Sequence, residues 1–143
     1  MMPPKTAEII VPLRFMLTVG TLIATLLVYF HRADNVAVSV AGNPTTAELQ
    51  AADASVLAAW AVQLICLAIS LTGLLGGFSM FMHGVGLLQI VCQLAAGVLT
   101  CLFILGSWHI AALWYITGFL GIVPAVAETG IIATALACRS QRQ

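Results

Sequence analysis

Charged side chains are scarce in this chain. Lysine, arginine, aspartate and glutamate make up 7% of the 143 residues, and none of them lies between Asp53 and Glu128. Soluble proteins carry about 25% charged residues, whereas 62% of this chain is hydrophobic. A soluble fold would have to expose part of that uncharged stretch to water. The composition therefore excludes an ordinary soluble domain and predicts an integral membrane protein with a single domain.

The sequence also lacks the residue sets that carry chemistry. The formal net charge is zero, which leaves no electrostatic footprint for nucleic acid. The four cysteines lie singly, with no Cys-x-x-Cys pair and no ligand-like spacing to a histidine. We therefore expect no enzymatic activity, catalytic residue, metal, cofactor or small-molecule substrate. Cys138 lies beside Arg139 at a predicted membrane edge and leaves two alternatives open, S-palmitoylation or an unmodified thiol.

Four apolar runs are each long enough to cross a bilayer, whose hydrocarbon core of about 30 Å needs about 20 helical residues. They cover about 12–30, 55–81, 85–108 and 112–138. The last two connections are very short, so the helices they join must be antiparallel neighbours. The sequence predicts an all-α polytopic membrane protein, a bundle of four transmembrane helices with up-down-up-down topology.

The first connection, about 31–54, is the only sizeable one. Thr45 and Glu48 have the spacing of a capping box, in which each side chain accepts from the other residue's backbone N–H. We therefore expect the second helix to begin outside the bilayer and to enter it near Asp53.

Basic residues predict the orientation. Four of the five flank the two ends of the chain: Lys5, Arg14, Arg139 and Arg142. The loop at about 31–54 holds only Arg32, so the positive-inside rule places both termini in the cytoplasm and this loop outside. An alternative treats the first run as a cleaved signal peptide, which would leave three spans, but the run is long for a signal.

Small and polar residues mark the faces through which membrane helices pack. Each run has one such stripe at helical spacing: Arg14, Thr18, Thr21 and Thr25; Ala59, Gln63, Ser70, Gly73 and Gly77; Gly86, Gln89, Gln93, Ala96 and Thr100; Thr117, Gly121, Pro124 and Glu128. Gly73 and Gly77 form a Gly-x-x-x-Gly pair. One stripe per helix is what a four-helix bundle requires.

Glu128 is the most informative residue. It precedes Arg139 by eleven residues, which places it about 16 Å deep if Arg139 marks the interface. A charged carboxylate there costs about 2.5–3.5 kcal/mol. Gln63 and Gln93 are predicted at similar depths and are its expected hydrogen-bond partners. Pro124, one turn earlier, is expected to bend the helix.

Two interpretations of Glu128 compete. In the structural one it is a protonated, hydrogen-bonded group that fixes the register of the helices. In the functional one it handles protons in a small transporter. A transporter usually shows a second ionisable partner, an internal repeat or a broken-helix pair. Arg14 lies near the predicted helix start and is expected to reach the membrane surface, which leaves the acid alone and favours the structural interpretation.

Several segments resemble the transmembrane protein 107 family. They are Val11-Pro12-Leu13-Arg14-Phe15, Arg32-Ala33-Asp34-Asn35-Val36, Gly77-Phe78-Ser79-Met80-Phe81, Trp114-Tyr115-Ile116 and Val123-Pro124-Ala125-Val126-Ala127-Glu128. Their order and spacing match the family over nearly the whole chain. The chain departs from the family in lacking a cysteine in the first external loop and charged residues around Trp108.

The resemblance implies a non-catalytic scaffold of the ciliary or flagellar transition zone, within the Meckel-syndrome module. Its implied partners are membrane lipids and other transition-zone membrane and B9-domain proteins. With them it would help to assemble the gating complex that controls ciliary membrane composition and ciliogenesis. Pro124 and Glu128 match the family's Pro-Ala-Val-x-Glu pattern.

Overall fold

The computed structural model describes residues 4–40, 42–77 and 83–141. Its elements are α1 (Pro4–Ser39), α2 (Thr46–Leu75), α3 (His83–Leu105), α4 (Ile110–Tyr115), a π-helical segment (Ile116–Ile122) and α5 (Val123–Ser140). The last three follow one another without a break, so the described residues contain four helices long and apolar enough to cross a bilayer. The protein is the all-α four-helix membrane bundle that its apolar runs predict.

Helix α1 extends well beyond its predicted end at Phe30 and continues to Ser39. The polar residues after Phe30 do not stop it, and one of them, Arg32, pairs across to α2. Arg32 Nε lies 2.8 Å from Asp53 Oδ1, and its guanidinium lies 4.5 Å from the centre of the Tyr29 ring. The predicted loop at 31–54 is therefore mostly helix.

The start of α2 confirms the capping box. The backbone N–H of Thr45 donates to Glu48 Oε2 at 2.8 Å, and the backbone N–H of Glu48 donates to Thr45 Oγ1 at 3.3 Å. Two backbone donors that the first helical turn would leave unpaired are thus satisfied.

Helix α2 ends at Leu75, and the predicted end at Phe81 lies outside the described residues. Gly77 follows the helix with a φ of 71°, in the left-handed region that glycine adopts readily. The prediction that Gly77 extends the helix-packing face of Gly73 is therefore wrong, because the backbone leaves the helical path between these two residues.

The fourth span changes its helical winding ahead of Pro124. A proline has no N–H to donate, and its ring clashes with the carbonyl four residues earlier in a regular α-helix. Here the seven residues Ile116–Ile122 form a wider π-helix, and α5 resumes at Val123. The predicted disturbance at Pro124 thus takes the form of a π-helical segment, which also changes the angular register of the residues on either side of it.

The interior is apolar at one end and polar towards the other. We call the end where α1 begins and α5 ends the N/C end, and the opposite end, where α1 connects to α2 and α3 to α4, the loop end. Phe103, Val28, Val56 and Leu113 are at most 3% exposed and pack together near the loop end. Ala59 of the second predicted stripe belongs to this cluster, and the polar side chains of the predicted stripes are buried.

Candidate functional site

A polar network joins three helices in the half of the bundle nearer the N/C end. Glu128 on α5 is 0% exposed, Gln89 on α3 is 2% exposed and Arg14 on α1 is 3% exposed. The side-chain amide of Gln89 donates to Glu128 Oε2 and accepts at Oε1 from the Arg14 guanidinium. Arg14 Nη2 also lies 3.6 Å from Glu128 Oε2. We call these three residues the Arg14–Gln89–Glu128 network.

The fourth wall of this site is a glycine of α2. A Cβ built on Gly73 would overlap the carboxyl group of Glu128, so the glutamate fits only because that side chain is absent. Gly73 therefore lies directly against the Glu128 side chain, and its predicted role in helix packing stays a prediction. The network and Gly73 together contain one residue from each of the four spans.

The expectation that Arg14 reaches the membrane surface is wrong. It assumed that the first helix starts near Pro12, whereas α1 starts at Pro4, so Arg14 lies about 15 Å along the helix. Glu128 lies twelve residues before the end of α5 at Ser140, a rise of about 18 Å. The two charges therefore meet inside the bundle, and the acid does not stand alone.

The expected partners of Glu128 are also wrong, because Gln89 takes that position. Gln93 lies one turn further along α3 and is 6% exposed, and its backbone carbonyl accepts from Thr21 Oγ1 of α1 at 2.9 Å. Gln63 is 4% exposed and lies against Gly121, where a Cβ would come within 2.5 Å of Gln63 Oε1. Both glutamines are interior residues, as their stripes predict.

Pro124 is buried and has no N–H to donate. It separates the π-helical segment from the turn of α5 that carries Glu128. The structural role that the sequence predicts for Pro124 stays a prediction.

The network's chemistry is that of a neutralised charge pair. An ion pair in a low-dielectric interior is stable only when its remaining lone pairs and protons are also bonded, and the Gln89 amide supplies one bond to each partner. Glu128 Oε1 accepts no hydrogen bond from the described residues, and it faces Gly73. The pair brings together an acid and a base, but both side chains are sealed from solvent.

Sequence reasoning found Glu128 and Gly73 and missed the pairing of Arg14 with Gln89. One signal was available. Arg14 begins the same stripe as Thr18, Thr21 and Thr25, so the periodicity that places the threonines inside the bundle places the arginine there too.

Comparison with known proteins agrees with this architecture. The TMEM107 (transmembrane protein) family model matches residues 10–132. The chain is 31% identical to transmembrane protein 107 of Rattus norvegicus over 122 residues, covering 85% of this chain and 87% of that protein. It is 30% identical to the Homo sapiens protein of the same name over 125 residues, covering 87% and 89%.

A more distant relative, transmembrane protein 107 of Danio rerio, is 26% identical over 119 residues, covering 83% of this chain and 88% of that protein. No solved structure matches the chain. The family match includes all three residues of the Arg14–Gln89–Glu128 network. The chain belongs to the transmembrane protein 107 family.

Proposed function

We propose that this protein is a non-catalytic membrane scaffold of the ciliary transition zone. In this role it supports assembly of the gating complex that controls ciliary membrane composition and ciliogenesis. Family membership supports the proposal, since a scaffold of this kind is what the sequence resemblance implies. The proposed partners are membrane lipids and other transition-zone membrane and B9-domain proteins, with both termini of this chain in the cytoplasm.

One structural observation carries the proposal. The most polar part of the bundle interior, the Arg14–Gln89–Glu128 network, is at most 3% exposed and is occupied by contacts between its own helices. Interior charges that bond one another hold helices in register and leave the outward faces for recognition. That arrangement suits a protein whose work is to hold neighbours in place.

Localisation tests the proposal directly. A fluorescent fusion is expressed in a ciliated cell line in which an independent transition-zone protein is labelled in a second colour. The fusion should form a focus at the ciliary base. Deleting the gene should release other transition-zone membrane proteins from that focus. A diffuse plasma-membrane signal, with the marker still at the base, contradicts the proposal.

A second candidate function is proton-coupled transport through Glu128, and one observation favours it. A transporter usually has a second ionisable group near its carboxylate, and Arg14 lies 3.6 Å from Glu128. Purified protein in liposomes that enclose a pH-sensitive dye tests this candidate. A proton flux that exceeds the flux in empty liposomes and is lost in Glu128→Gln would support transport over scaffolding.

A further inference from the structure

A small cavity lies inside the bundle beside the π-helical segment. Its lining comes from all four spans and includes Thr25, Gln63, Thr100, Leu113 and Thr117, each of which is at most 4% exposed. The space open to the centre of a water-sized sphere is about 10 Å³. On this measure a site for one buried water needs about 10–15 Å³. We call this space the Gln63–Thr117 cavity.

Thr117 supplies a buried hydroxyl that has no hydrogen-bond partner among the described residues. Threonines in the α-helical parts of the chain, such as Thr18, Thr25 and Thr129, donate to the carbonyl four residues earlier. Thr117 is the second residue of the π-helical segment, in which backbone hydrogen bonds join residues five apart. Its hydroxyl does not make the usual bond to its own helix, and it keeps its capacity both to donate and to accept.

Gln63 of α2 supplies a second unpaired polar atom at the same cavity. Its Oε1 accepts no hydrogen bond from the described residues. A Cβ built on Gly121 would clash with this oxygen, so the oxygen lies against the π-helical segment that carries Thr117. Buried polar atoms are nearly always bonded to protein or to ordered water. Two unpaired atoms at one cavity therefore point to a ligand between them.

Water matches both the size and the chemistry of this cavity. It can donate to Gln63 Oε1 and accept from the Thr117 hydroxyl, with the hydroxyls of Thr25 and Thr100 beside it, and a buried water makes about three hydrogen bonds. Dehydrated hard cations take about six or more oxygen ligands, whereas the lining offers four side-chain oxygens. An acyl chain is too large for the volume and has no donor.

We propose that the Gln63–Thr117 cavity is a binding site for one structural water molecule, which donates to Gln63 Oε1 and accepts from Thr117 Oγ1. The water joins α2 to the fourth span at the segment where the π-helix interrupts regular α-helical bonding. Hydrogen bonds between helices hold a bundle together in lipid, where the hydrophobic effect does not act between them. The inference goes beyond the proposed function and holds for a scaffold and for a transporter alike.

Water-selective solid-state NMR of the full-length chain in bilayers of perdeuterated lipid tests the proposal. Isotope-labelled leucine methyl groups report the transfer of magnetisation from water protons. Leu113 is 3% exposed and lines the cavity. The control residue Leu67 is 1% exposed and is not among the lining residues. We expect a cross-peak at the water frequency from Leu113 and none from Leu67.

Two variants each remove one partner of the water. Thr117→Val replaces the hydroxyl with a methyl group of similar size, and Gln63→Leu removes the amide with a side chain no larger than the original. Each should reduce the Leu113 cross-peak to the level seen at Leu67. Thr129→Val is the matched control, because the Thr129 hydroxyl donates within its own helix, and it should leave the Leu113 cross-peak unchanged.

The outcomes decide the inference. A Leu113 cross-peak that is missing from the wild-type protein, or that is no larger than the one from Leu67, overturns it. A cross-peak that survives in either variant, or that is also lost in Thr129→Val, overturns it too. Loss in Gln63→Leu, which keeps the Thr117 hydroxyl, excludes transfer relayed through that hydroxyl and supports a bound water.

A metal ion in the cavity is a further outcome. If the Leu113 cross-peak disappears when metal salts are replaced by a salt of an organic cation, the ligand is a hydrated ion and the proposal of a structural water is overturned. If a variant fails to fold in the bilayer, the comparison of Leu113 with Leu67 in the wild-type protein decides alone.

Discussion

Replacing Arg14 with methionine leaves the Glu128 carboxylate buried beside a neutral side chain. At 3.6 Å, two unit charges attract by about 4–5 kcal/mol at an effective dielectric constant near 20. Measured losses on removing one partner of a buried ion pair are about 3–5 kcal/mol, most of which is the penalty for the charge left behind. We therefore expect Arg14→Met to destabilise the bundle by about 3 kcal/mol or more.

Glu128→Gln removes the charge and keeps an amide that can still bond Gln89. It leaves Arg14 without its carboxylate, so it should also destabilise the bundle. The loss should be smaller than for Arg14→Met, because a long arginine side chain can reach towards the N/C end. The double variant Arg14→Met/Glu128→Gln strands no charge. Replacing a whole buried pair is often close to neutral, so we expect it to be more stable than Arg14→Met alone.

The measurement is a double-mutant cycle on protein in detergent micelles, with reversible unfolding followed by tryptophan fluorescence. The coupling energy between the two positions should reach about 2 kcal/mol or more, against the few tenths expected of independent sites. The matched control is Arg32→Met, since Arg32 and Asp53 are 31% and 37% exposed and exposed pairs contribute little. Additive effects of the two interior variants would refute the argument that these charges compensate each other.

Two further predictions follow from the structure and the sequence. Gly73→Ala should destabilise the protein by about 1–3 kcal/mol, because the added Cβ overlaps the Glu128 carboxyl. The control variant Gly130→Ala lies at an open position and should not destabilise it. Chemical denaturation measures the free energy of unfolding of both variants. A cysteine introduced at Asn43 should react with a membrane-impermeant thiol reagent on intact cells, because the basic residues predict that this connection is external; modification only after permeabilisation would reverse the assigned orientation.

The helix faces could be predicted from the sequence because burial in a bilayer follows helical periodicity. Thr18, Thr21 and Thr25 are at most 4% exposed, and so are Thr100 and Thr117 on the other spans. In a membrane the small and polar residues are the ones that mark contact between helices, and each span has only one such stripe. Local signals were equally sufficient for the capping box of Thr45 and Glu48.

Helix ends were less predictable, because hydropathy reports where lipid ends and not where a helix ends. Helix α1 continues to Ser39 through Arg32, whose charge pairs with Asp53 of α2. Conversely, the apolar run of the second span continues past Leu75, but the helix stops there. A contact between helices accompanies the first case, and a left-handed glycine, Gly77, follows the helix end in the second.

The partner of Glu128 could not be read from any single helix. Gln89 and Gln93 share a stripe and lie one turn apart, about 6 Å, so a small vertical shift of α3 against α5 exchanges them. That shift depends on the connection between α2 and α3 and on the winding of the π-helical segment Ile116–Ile122. Neither is encoded in the periodicity of one span, and the pairing of Arg14 with Glu128 depends on the same relative heights.

The double variant Arg14→Met/Glu128→Gln also separates scaffold from transporter in cells. It should remain folded, because no buried charge is left unpaired, and it contains no group in the network that titrates at physiological pH. A scaffold needs only the register of its helices, so this variant should keep its steady-state level, its focus at the ciliary base and the recovery of its partners. Arg14→Met alone should lose all three through instability.

If the protein is a proton carrier, the two variants should rank differently in function. Without the Glu128 carboxyl the double variant would be as inactive as a deletion, however well it folds. The assay therefore scores rescue of ciliogenesis in cells that lack the wild-type protein, together with protein level and localisation. Failure to rescue at normal level and normal localisation would overturn the scaffold proposal, because the only property then missing is the ability of the Arg14–Gln89–Glu128 network to exchange a proton.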